Sequence, residues 1–332
     1  MVRLVRVELR RLLARRAVRV LLAACLLLPL LIGVGVAIDT RPPSDADLAW
    51  ATEQAEKESE SKWVKREVRR CVKDPSGWGG LPTNLSAEEA QEACEEQALP
   101  QVEWYLWYQP LDLAEQRDGG SGLLLTLVLA FLLLVAGTTF IGHDWSSGSV
   151  SNQILFEPRR GRVWSAKATA VVATSFLLAA LAQTAYWLGL AALARHRGEP
   201  HGRALLIDCL QFGLRAAAVA AAAALIGFAL TMLLRSTVAT LGITFGIALA
   251  GGMVLAVIGV SDVWNPAFNL WAVVSNGVSY DAEIACRPPS SPGEMCWEQR
   301  HLSLTRGATY AGSVVAAVTL VSWFSFRRRD IN

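Results

Sequence analysis

The sequence predicts an all-α integral membrane protein with six transmembrane helices, an N-terminal amphipathic interfacial helix and a helical extracytoplasmic lobe. Three observations predict it. Of 332 residues, 53% are hydrophobic and 18% charged, against about 25% charged in an ordinary soluble chain; the mean hydropathy is +0.34. Six apolar runs approach or exceed the ~20 residues needed to cross a ~30 Å hydrocarbon core. Charge is also unevenly placed. Residues 39–120 carry 18 acids and 9 bases, leaving 11 acids and 22 bases elsewhere, although the net charge is only +2. Basic loops mark the cytosolic side of a membrane protein.

Residues 1–16 place Val2, Val5, Leu9, Leu12 and Leu13 at helical spacing, with Arg3, Arg6, Arg10, Arg11 and Arg15 on most of the other side. That is the pattern of a basic helix lying in an anionic membrane surface. The first span follows at 17–38. Its apolar run is longer than the ~7–15 residues of a signal-peptide core, which favours an uncleaved span. The lobe occupies 39–120. Within it, Asp45–Lys73 lacks Pro and Gly and predicts a helix. Ser86-Ala-Glu-Glu89 has the form of a capping box, opening a helix that stops before Pro100. Trp104, Trp107 and Tyr108 then lead back to the bilayer. Asn84-Leu85-Ser86 also matches a glycosylation sequon, though the cap accounts for Ser86 better.

The second span is 121–142. A polar, basic loop at 143–167 separates it from the third to fifth spans at 168–260, whose apolar runs are 168–194, 216–234 and 238–260. A loop at 261–306 precedes the sixth span and basic tail at 307–332, with the apolar run at 307–326. Six spans put both ends of the chain on one side. Arg159, Arg160, Arg162, Lys167, Arg235 and Arg327–Arg329 make that side cytosolic, and the expected location is the cell membrane. Arg195, Arg197, Arg203 and Arg215 are the exception, falling in an outer connection. In the last outer loop, Trp264–Trp271 is mildly amphipathic and suits the outer interface.

No Cys-x-x-Cys pair occurs among the six cysteines and the four histidines are scattered, so no metal pattern emerges. Cys71 with Cys94, and Cys286 with Cys296, become disulfides if both segments face an oxidising compartment; otherwise they are free thiols. The interiors of the six spans hold no Asp, Glu, Lys or Arg, and Arg19 lies at an end of the first. This argues against ion-coupled transport, which needs such groups to bind the coupling ion. His143, Asp144 and Ser146–Ser149 are too close in sequence to adopt a catalytic-triad geometry, and no Gly-x-Ser-x-Gly elbow exists. A P-loop is absent, so any ATP would be hydrolysed by another chain. Gly242-x-x-x-Gly246 and Gly312-x-x-x-Ala316 offer small faces for helix packing, with packing inside the chain the simpler expectation. Gln183, Thr184 and Tyr186 either line a pathway or hydrogen-bond to a neighbouring helix.

Residues 142–167 contain Asp144-Trp145, Gly148-Ser149, Ile154-Leu155, Pro158-Arg159-Arg160 and Lys167, in that order. With the surrounding organisation, they resemble the membrane subunits of type-2 ABC exporters. In that family an acid–aromatic pair, Gly-Ser/Thr, a leucine-rich turn, Pro-x-Arg and a lysine occupy the loop after the second span. Asp144 stands where the family commonly has Glu, and the lobe is larger than in many members. The resemblance implies a permease without its own ATPase site or cofactor. ATP and Mg²⁺ would be held by a separate P-loop ATPase, on which Asp144, Trp145, Gly148, Ser149, Pro158, Arg159, Arg160 and Lys167 would form the coupling element. It further implies a homodimer or a pairing with a related permease, a lipid environment and no nucleic-acid partner. The alternative expectation is a non-transporting membrane sensor or scaffold whose lobe binds a ligand.

Overall fold

A computed structural model describes residues 1–82, 86–106, 108–258, 262–285 and 295–328. In chain order the helices are α1 (Val2–Ala14), α2 (Arg16–Asp39), α3 (Asp45–Ser59), α4 (Lys62–Lys73), α5 (Pro75–Gly79), α6 (Ala87–Ala98), α7 (Leu113–Asp118), α8 (Ser121–Ser146), α9 (Ser149–Phe156), α10 (Arg160–Arg197), α11 (Arg203–Leu234), α12 (Thr237–Val257) and α13 (Pro266–Val274). Strands β1 (Val278–Ala285) and β2 (Met295–Leu302) precede α14 (Leu304–Arg328). Two compact units result, one made of residues 1–34 with 112–332 and the other of residues 35–111.

Among the described residues, six helical stretches are long and apolar enough to cross a membrane: 16–39, 113–146, 160–197, 203–234, 237–255 and 304–328. α8, α10 and α11 form its packed centre, because their small residues permit close approach. A Cβ on Gly137 of α8 would lie 2.4 Å from the Ala224 carbonyl of α11, and one on Gly227 would lie 2.6 Å from the Leu134 carbonyl. Such contacts replace lipid with backbone. Trp187 of α10 is fully buried between Gly122 and Gly213, where a Cβ would meet its ring at 2.7 and 3.2 Å. Phe212 closes the pocket edge-on at 5.8 Å. Gln183 donates to Thr126 at 3.4 Å and Tyr186 to Ser121 at 2.5 Å, so both bond to α8.

The small faces singled out in the sequence behave differently. A Cβ added at Gly242, Gly246 or Gly312 would have nothing within 4 Å among the described residues, which corrects the expectation of packing inside the chain. α12 and α14 present these faces outward. α10 and α11 are longer than their apolar runs. At 38 and 32 residues and 1.5 Å per residue they extend about 57 and 48 Å, beyond a ~30 Å core. Arg195, Arg197 and Arg203 lie at their joined ends. Arg215 donates from Nε to the Val274 carbonyl at 2.9 Å, satisfying the last turn of α13.

The connection at 261–306 is more than a loop. Asn265 caps α13 through Ala267 N–H, and β1 pairs antiparallel with β2, Val278 opposite Leu302 and Tyr280 opposite Arg300. Ala272, Val278 and Leu302 bury together, and Phe268 stacks on Tyr280 at 5.1 Å.

In the second unit, the helix expected over Asp45–Lys73 is two helices. Ser61 takes an extended conformation and its hydroxyl accepts from Val64 N–H, restarting the chain as α4. Capping boxes open α3 (Ser44, Asp47) and α6 (Ser86, Glu89), and α6 ends at Ala98, ahead of Pro100. Cys71 of α4 and Cys94 of α6 form a disulfide beside buried Val64 and Ala90. Asn84, Leu85, Trp107, Cys286 and Arg329 lie outside the described residues. The sequon and the Cys286–Cys296 pair therefore lie outside them too.

Candidate functional site

The segment 143–167 is built as a helix–turn–helix–turn. α8 runs to Ser146, three residues past the polar boundary at His143. Gly148 then adopts φ +68°, a left-handed conformation open to glycine, and this turns the chain into the short α9. Pro158 separates α9 from α10, whose first residue is Arg160.

The segment has an inner and an outer side. On the inner side, Asp144 and Lys167 are fully buried and meet Glu8 of α1, which is also fully buried. Lys167 Nζ donates to Asp144 Oδ2 at 2.6 Å and to Glu8 Oε2 at 2.8 Å. Arg11 donates to Asp144 Oδ1 at 3.2 Å, to Glu8 Oε1 at 3.2 Å and to Gln153 Oε1 at 2.9 Å, and also to the Ser149 hydroxyl. Arg15 pairs with Asp144 Oδ1. Gln153 Nε2 donates to Glu8 Oε1 at 2.5 Å. Both oxygens of both carboxylates are thus engaged by a cation. Phe140 lies beneath, with Arg15 and Lys167 each about 5 Å from its ring centre (5.2 and 5.3 Å).

Energetics decide what such a cluster is for. Taking an ion out of water costs several kcal/mol, and close pairing returns roughly that amount, so the net stabilisation is small while loss of one partner is expensive. The arrangement holds α1, α8, α9 and α10 in one geometry.

On the outer side, Leu155 is 80% and Phe156 91% exposed, followed by exposed Pro158 and Arg159 and half-buried Arg160. Trp145 is intermediate. Its ring meets Phe326 edge-on at 6.4 Å and carries the Arg235 guanidinium 4.8 Å above it, while its indole N–H is buried without an acceptor among the described residues.

The residues singled out in the sequence therefore divide. Asp144, Ser149 and Lys167 share the internal cluster, and Gly148 supplies the turn. Trp145 packs on α14, while Pro158 and Arg159 face out. Sequence reasoning misses Glu8, Arg11, Arg15 and Gln153 as members of this site. Glu8 carries a signal, being the single acid among six arginines in residues 1–16. Phe156 carries one too, as a large apolar side chain in a polar segment.

The hydroxyls of Ser146 and Ser147 donate to the His143 carbonyl at 3.1 and 2.7 Å, and Asp144 is committed to cations, so no serine–histidine–acid relay forms. Among the described residues no three His, Cys, Asp or Glu side chains group to hold a metal. No family model, curated protein or solved structure matches the chain.

Proposed function

We propose that the chain is the membrane-spanning permease subunit of an ATP-driven ABC exporter, in which α9 and the Pro158–Arg160 turn dock on a separate P-loop ATPase that holds ATP and Mg²⁺. The observation that carries this reading is the pairing of a nearly bare Leu155–Phe156 tip with a buried ionic anchor. An apolar tip in a polar setting marks a protein-contact surface. An anchor tying it to three other helices lets a push on the tip move them as a body. The resemblance of residues 142–167 to the type-2 exporter loop points the same way, as does the lack of a P-loop.

In this reading the arginine-rich end faces the cytosol of the cell membrane, both ends of the chain included. The disulfide-bearing lobe faces the oxidising side, where such bonds persist. The outward small faces of α12 and α14 are free to meet lipid, a second copy or a related permease.

Co-purification tests the proposal. Leu155→Asp with Phe156→Ala should abolish recovery of a P-loop ATPase and its stimulation, with the permease still folded, since neither side chain is packed. Reversing Arg159 and Arg160 to Glu should weaken both at least tenfold. Retention of wild-type ATPase binding by either variant overturns the coupling role.

A further inference from the structure

An open cleft of about 660 Å³ lies where α10 begins and α14 ends, lined by Arg159, Arg160, Arg162 and Arg327 with Gly161 and Trp323, and by no acid among the described residues. Arg159, Arg162 and Arg327 are exposed and make no ion pair among the described residues. Gly161 keeps the wall open. A Cβ there would already stand 3.4 Å from the Trp323 ring and 3.5 Å from Arg327 Cδ, and any longer side chain would enter the cleft. Arg327 is held in place by stacking over the Trp323 ring at 4.4 Å. The first turn of α10 lacks a side-chain cap, so its amides add positive potential on the same side.

Four guanidinium-bearing side chains around one cleft match a phosphoryl anion, which arginine binds through paired N–H donors. The neighbouring surface of α14 says where the rest of the ligand lies. Leu320, Val321 and Phe324 are 54%, 56% and 48% exposed, within the two turns before Arg327, and Trp323 sits among them as an aromatic at the polar boundary of a span. We propose that this cleft binds the phosphate of an anionic phospholipid, with the acyl chains running along α14. The site rests on the span assignment and the cleft alone. It shares Arg159 and Arg160 with the docking turn but does not depend on an ATPase.

The test uses the full chain purified in non-ionic detergent, with bound lipid counted by native mass spectrometry. Dioleoyl phosphatidylglycerol should be retained in preference to dioleoyl phosphatidylcholine. Arg162→Gln and Arg327→Gln should each weaken that retention about fivefold, as expected for one basic side chain near an anionic headgroup. Gly161→Leu should block it by filling the cleft without changing charge. Thermal unfolding of the lipid-free variants checks that they fold. ATPase co-purification should be unchanged in Arg162→Gln and Arg327→Gln, which separates this site from the docking surface. The proposal is overturned if both lipids bind equally, or if the folded variant combining Arg162→Gln with Arg327→Gln keeps the wild-type preference. The latter result would leave the arginines as markers of membrane orientation only. It is also overturned if millimolar inorganic phosphate binds alone and displaces the phosphatidylglycerol, which would make the cleft a site for soluble anions.

Discussion

Asp144 receives three cations, Arg11, Arg15 and Lys167, whereas Lys167 receives two anions, Glu8 and Asp144. Within the cluster three positive charges face two negative ones, so removing an acid and removing a base are unequal changes. Asp144→Asn leaves three buried or half-buried cations on one carboxylate and should cost about 3–5 kcal/mol. Lys167→Met leaves two cations and two acids, with Glu8 Oε2 kept by Arg11 at 3.5 Å and Asp144 Oδ2 stranded, and should cost about 1–3 kcal/mol. Thermal unfolding in detergent gives the order, and equal losses would contradict it. A second residue-scale expectation concerns the lobe. Backbone and side-chain hydrogen bonds from Ser86 hold the Glu89 carboxyl below its usual value of 4.5. A lowered carboxyl contributes stability above its unfolded pKa and loses it as pH falls through the folded one. The extra hydrogen-exchange protection of α6 in wild type over Glu89→Gln should therefore shrink and vanish as pH drops below about 4.5. Much at this scale is legible in the sequence, because capping boxes are local and their partners lie three residues apart. The ionic cluster is not. Asp144 and Lys167 are visible as charges in a loop, but their burial depends on Glu8, 159 residues from Lys167, and one sequence shows no such pairing.

At the scale of elements, apolar runs reveal the spans because crossing a bilayer imposes a minimum length. The polar ends of those helices escape the same logic. Arg160–Lys167 is helical although it is basic, since Pro158 and the uncapped first turn start α10 well before its apolar run. The hairpin is hard to see for another reason. Val278, Tyr280 and Ala282 alternate with polar residues, the period of a half-exposed strand, yet the segment is short and follows a long apolar run. Small-residue spacing is visible without its use. A Gly-x-x-x-Gly pattern states that close approach is possible and is silent about what approaches. The consequence can be measured. Gly137→Leu and Gly227→Leu should each cost more than about 2 kcal/mol by forcing α8 and α11 apart, seen as a large loss of thermal stability. Gly242→Leu should leave the isolated chain's stability within about 0.5 kcal/mol, because nothing lies within 4 Å there. A drop in size on gel filtration for Gly242→Leu alone would identify α12 as a subunit contact.

At the scale of the whole molecule, the two units have separate cores and should unfold separately. The Cys71–Cys94 bond closes a separation of 23 residues, for which constraint of the unfolded chain is worth roughly 3 kcal/mol. Cys71→Ser should lower the unfolding temperature of residues 35–111, followed by limited proteolysis, and leave the helical unit of residues 1–34 and 112–332 unchanged. Loss of both together would show that they unfold as one. The ionic anchor has a consequence in time as well as in space. Glu8 emerges from the ribosome ahead of Asp144 and Lys167, which follow it by more than 130 residues. At roughly 5–20 residues per second, Glu8 and its neighbouring arginines wait about 10–30 s before Lys167 exists to be paired. Until then α1 holds its charges in water or among headgroups, so the ionic anchor closes only when α10 captures α1.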